Sequence, residues 1–85
     1  MMQHTKRLKS EQRGEDIYCV RATDVTGRKA YYFIRLDPYK KQAFLRLPAD
    51  AAYTITDYGN VLASGYGAPP PELVARMNAE YGTAF

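Results

Sequence analysis

The stretch from Ile17 to Pro48 constrains the fold most. Apolar and basic residues alternate along it, and two segments of turn chemistry break it, Asp24-Val25-Thr26-Gly27 and Asp37-Pro38-Tyr39-Lys40. Alternation with period two sends successive side chains to opposite faces of a strand, so the pattern predicts an antiparallel sheet. Ile17 to Thr23 has the composition of a strand, Gly27 supplies a permissive turn backbone, and Lys29 to Leu36 is β-branched and aromatic enough to pair with it. Asp37 and Pro38 suit the first two positions of a type I turn, where the fixed φ of proline is already correct. Lys41 to Leu47 is then expected to return as a third strand, ended by Pro48.

Beyond Pro48, the segments Tyr53 to Asp57, Tyr58-Gly59-Asn60 and Val61 to Tyr66 can be drawn as a second hairpin or as a short helix followed by an extended segment. The hairpin is favoured, because Thr54, Ile55, Thr56 and Val61 are stiff in a helix and Gly59-Asn60 suits a turn. Gly65, Gly67 and Pro69-Pro70-Pro71 mark a linker, after which a helix is predicted from Pro71 to Tyr81. Leu73, Val74, Met77 and Tyr81 form its apolar stripe, with Glu72, Arg76 and Glu80 outside it and Gly82 placed to stop it. The expected fold class is α+β: a small antiparallel β-sheet, built from a β-meander of three strands and a second hairpin, with one C-terminal amphipathic helix packed on it.

A chain of 85 residues has room for one small core. Residues 1–15 read as a flexible basic N-terminal arm, in which Lys6, Arg7, Lys9 and Arg13 outweigh Glu11 and Glu15, and residues 16–85 read as a single α+β domain. No apolar run approaches the roughly 18 residues that span a bilayer, and no apolar stretch follows the N-terminal charges as in a signal peptide. A cytoplasmic protein with no membrane partner is therefore expected. The single cysteine, Cys19, cannot form an internal disulfide and is expected to be a buried, inert thiol. Small domains without disulfides often gain stability by pairing, so a homodimer is one expectation, and sheet edges offer sites for a second copy or an extended peptide.

Register predicts what the sheet displays. If Asp37 faces Lys40 across the second turn, then Phe33 faces Phe44, Tyr31 faces Arg46 and Arg35 faces Gln42, while Tyr32, Ile34 and Leu36 share the opposite face with Leu45, Ala43 and Lys41. An even-length first turn adds Ile17, Cys19 and Arg21 to the aliphatic face and Tyr18, Val20 and Ala22 to the aromatic one. The candidate binding surface is thus Tyr31, Phe33, Arg35, Phe44 and Arg46. Rings of this kind stack unpaired bases while arginines hold phosphates. Alternatively, the face is a second layer of the core, covered by the later hairpin, with arginine stems lying over rings. A net charge of +3 is modest for a nucleic-acid binder, which favours the second reading.

Catalytic machinery is not expected. His4 is the only histidine, and it sits in the arm, away from any nucleophile and base arrangement. One His and one Cys cannot assemble a zinc site, and Asp24, Asp37, Asp50 and Asp57 fall where aspartate serves turns and caps. Gly65-Tyr66-Gly67 lacks the Lys-Ser/Thr pair of a phosphate loop. No catalytic, cofactor-binding or metal residue is assigned, and no cofactor is expected. The functional expectation is a non-enzymatic binding or regulatory module, either a protein-protein interaction domain or small subunit. The alternative is a single-stranded nucleic-acid binder that uses the aromatic-basic face and the arm.

Overall fold

In the computed structural model, residues 4–12 and 16–85 are described, together with the side chains of Arg7 and of residues 16–85. The chain runs β1 (His4–Gln12), β2 (Ile17–Asp24), β3 (Lys29–Leu36), α1 (Lys41–Leu45), β4 (Ala52–Thr54), a 3-10 turn (Ile55–Asp57), β5 (Gly59–Tyr66) and α2 (Pro71–Tyr81). It is an α+β fold. Its antiparallel strands lie in the order β4-β1-β2-β3-β5, and α2 is the C-terminal helix.

The first hairpin forms where the sequence predicts it, but its faces are reversed. Asp24 N donates to Arg28 O at 2.9 Å and Gly27 N to Asp24 O at 3.1 Å, so Val25, Thr26 and Gly27 make a three-residue loop. Gly27 has φ +87°, the left-handed residue that closes such a loop. An odd loop shifts the parity of pairing: Cys19 faces Phe33 and Val20 faces Tyr32. Ile17, Cys19 and Arg21 therefore share the face of Tyr31, Phe33 and Arg35, while Tyr18, Val20 and Ala22 lie with Ala30, Tyr32, Ile34 and Leu36.

Three further expectations are corrected. Residues 4–12 are a strand in place of a flexible arm, paired to β2 and to β4; residues 1–3 and 13–15 of the predicted arm lie outside the described residues. A ladder on both sides orders a segment whose composition alone does not. Lys41–Leu45 is a helix in place of the third strand. The type I turn forms, with Lys40 N donating to Asp37 O at 2.9 Å, and its helical dihedrals continue as Phe44 N donates to Lys40 O at 3.0 Å. Lys40 to Leu47 contains no β-branched residue and is rich in helix formers. Finally, β4 and β5 do not form a hairpin with each other; β4 pairs with β1 and β5 with β3, at opposite edges. The extended segment Val61 to Tyr66 does lie in β5, which thus includes Gly65, read above as part of the linker.

That placement makes the sheet curl. Four interstrand spacings in a flat sheet amount to about 19 Å, yet only residues 55–58, largely 3-10, join β4 to β5 and cover about 10 Å. Inside the curl lie Tyr18, Val20, Tyr32, Ile34, Leu36, Phe44, Tyr53 and Ile55, all buried. On the outer face α2 covers Cys19, Tyr31 and Phe33 with Met77, Leu73, Val74 and Tyr81, the stripe that its spacing predicts. Gly82, at φ 65°, ends α2. Asn78 Oδ1 then accepts from Thr83 Oγ1 at 2.8 Å and Phe85 N at 2.9 Å, turning the chain back so that the Phe85 ring meets Phe33 at 5.2 Å.

Candidate interaction edge

The five residues assigned to a binding surface do not form one. Tyr31 is 5% exposed and Phe33 0%, both beneath α2. Phe44, also 0% exposed, lies in the other layer, against Tyr18, Tyr53 and Tyr58. Arg35 and Arg46 are exposed but separated: Arg35 approaches the Tyr81 ring at 5.4 Å, whereas Arg46 caps the end of α1. The face is a core layer, as the alternative reading held, and α2 rather than a hairpin covers it. Arg7, one of the basic residues of the predicted arm, donates to the carbonyl oxygens of Phe44, at 2.9 Å, and Leu47. Its guanidinium also lies over the Phe44 ring at 5.3 Å. A cation at the carboxyl end of a helix satisfies carbonyls that have no intrahelical donor.

The surface that sequence reasoning missed is the outer edge of β5, whose only strand neighbour among the described residues is β3. Opposed residues of an antiparallel pair alternate between bonded and unbonded. Gly67 N donates to Lys29 O at 3.0 Å, and Tyr31 faces Gly65, so Gly67 and Gly65 direct their amides toward β3. Ser64 and Tyr66, between and beside them, direct theirs outward. Gly65 is required where it stands, because the Tyr31 ring crosses it and a Cβ there would lie 2.6 Å from the Tyr31 hydroxyl. Residues 59–66 contain neither a charge nor a proline, two of the usual devices that blunt an edge. Opposite Phe33 the register shifts by one residue, a bulge at Leu62 and Ala63. The other edge, β4, is only three residues long.

Side chains frame this edge at both ends. At the Tyr66 end the Arg28 guanidinium lies 3.7 Å from the centre of the Tyr66 ring, and Tyr66 is 52% exposed. Asp24 fixes the adjoining loop: its Oδ1 accepts from Thr26 Oγ1 at 2.7 Å, Thr26 N at 2.9 Å and Arg28 N at 3.0 Å. The Thr26 hydroxyl, with further donors from the Arg28 and Thr26 backbone and from Tyr66, holds the Asp24 carboxyl below its ordinary value. At the Asn60 end an open cleft of about 400 Å³ is lined by Arg35, Asp37, Tyr39, Lys40, Asp57 and Asn60. Lys40 Nζ donates there to Asp57 O at 2.8 Å. Two cations and two carboxylates leave the cleft with no dominant sign. Among the described residues no group of His, Cys, Asp and Glu is gathered to hold a metal, and no helix is long and apolar enough to cross a membrane.

Comparison with known proteins finds no matching family model, no matching curated protein and no matching solved structure.

Proposed function

We propose that the protein is a small non-enzymatic interaction module that binds an extended segment of a partner protein by adding it to β5 as a further strand. The observation that carries this reading is the eight-residue edge Gly59–Tyr66, uncharged and without proline, with Ser64 and Tyr66 presenting their amides and carbonyls outward. Strand addition draws affinity from main-chain hydrogen bonds and selectivity from alternate side chains, so it needs no deep pocket. Tyr and Arg dominate the energetics of many interfaces, and the Arg28–Tyr66 stack places both at the end of the edge. The reading takes the protein as cytoplasmic, where a cysteine outside any disulfide, such as the buried Cys19, stays reduced. The nucleic-acid alternative loses support with its rings, since Tyr31, Phe33 and Phe44 are buried.

The test is selection of displayed eight-residue peptides on the wild-type chain and on Ser64→Pro. Proline at 64 removes an outward donor and leaves the β3 ladder intact. The expected result is that the wild type selects β-prone peptides that a folded S64P does not hold. Equal binding by both proteins would overturn the proposal.

A further inference from the structure

We infer that the segment taken up by β5 is acidic at both ends and uncharged between them. The inference rests on the strand-addition reading and adds the chemistry of the partner. β3, the next strand in, carries Lys29 and Arg35, both exposed and both on the α2 side of the sheet with Tyr31 and Phe33. Between each cation and the open edge stands a short residue, Gly67 beside Lys29 and Asn60 beside Arg35, so each long side chain has room to lean over β5. Arg28 adds a third cation at the Tyr66 end. Among the described residues the one ion pair is Lys41–Asp16, so Arg28, Lys29 and Arg35 are in no ion pair, although Asp24 lies beside Arg28 and Asp37 and Asp57 share the cleft of Arg35; of the three cations Lys29 is the one with no carboxylate named beside it.

The positions of the charges also choose between occupants. A second copy would pair β5 with β5 about a two-fold axis, hence antiparallel. That arrangement brings Arg35 of one copy beside Arg28 and Lys29 of the other, a juxtaposition of like charges. An acidic-ended segment meets the same cations as opposite charges. Lys29 and Arg35 are six residues apart on β3 and share one face, a separation of about 20 Å, so the acidic side chains of the partner are six residues apart on one face, with Val, Thr or similar residues between them.

Three peptides with one Thr/Val centre test this, carrying Glu, Gln or Lys at two positions six residues apart. Each is titrated against the full chain at low and high salt, with amide exchange followed at Ser64 and Tyr66. The expected order is Glu, then Gln, then Lys. Glu should exceed Gln by about tenfold at low salt, as two exposed charge contacts imply, and the gap should close in high salt and in a Lys29→Glu, Arg35→Glu double variant. Equal affinities with Ser64 and Tyr66 protected would overturn the acidic partner and leave strand addition standing. No protection by any peptide would overturn both. Protection that rises with protein concentration alone, together with a dimer in sedimentation, would make a second copy the occupant and overturn the inference.

Discussion

Arg7 ties β1 to α1 through one guanidinium, which donates to Phe44 O and Leu47 O across 37 and 40 residues of chain. Arg7→Ala should therefore cost about 2 kcal/mol in urea unfolding, the range for hydrogen bonds from a charged donor. Arg7→Lys should recover less than half of it, because an ammonium lacks the fork that reaches two carbonyls. Asp24 acts over a shorter range. Its folded-state pKa lies below the ordinary 3.8. Its contribution is thus present above that value and lost as the pH falls through the folded one. The protection of the Thr26 and Arg28 amides, taken relative to intrinsic exchange, should fall as the pH drops below the ordinary carboxylate value of 3.8, and Asp24→Asn should flatten that dependence. The contrast explains what was legible at this scale. Asp24 takes most of its donors, from Thr26 and Arg28, within four residues and announces itself as a turn residue, whereas the partners of Arg7 are invisible to any local pattern.

The elements divide in the same way. β2, β3 and α2 carry their own periodicity and form where it predicts. Lys41 to Leu47 reads as a strand because Phe44 and Leu45 fit an alternation as readily as a helical turn; the stronger signal is the absence of β-branched residues from Lys40 to Leu47. The three-residue loop at Val25 to Gly27 then reversed the assigned faces, since one residue of loop length exchanges the whole of each face. Because Lys41–Leu45 is a helix and not a strand beside β3, Phe33 and Phe44 belong to two separate core layers, each 0% exposed. Phe33→Ala and Phe44→Ala should each destabilise the fold by about 3 to 5 kcal/mol, measured by thermal or urea unfolding. A variant of either that kept wild-type stability would contradict the layer assignment.

At the scale of the molecule, the strand order was hidden because β1 has no apolar alternation of its own and is ordered by neighbours on both sides. Without β1, β4 had no partner, and pairing it with β5 was the nearest local solution. Once β1 is in place, β4 and β5 fall to opposite edges, the sheet curls over Phe44 and Ile55, and among the described residues no strand pairs with the outer side of β5. The candidate site was legible only as an uncharged run from Gly59 to Tyr66; that this run forms an edge follows from the strand order.

Residue-resolved amide exchange on the free wild-type chain tests the open edge most directly. The fold predicts an alternation: slow exchange at Gly65 and Gly67, whose amides face β3, and fast exchange at Ser64 and Tyr66, whose amides face outward. Slow exchange at Ser64 and Tyr66 in dilute protein would mean that the edge is already covered, and would contradict the account.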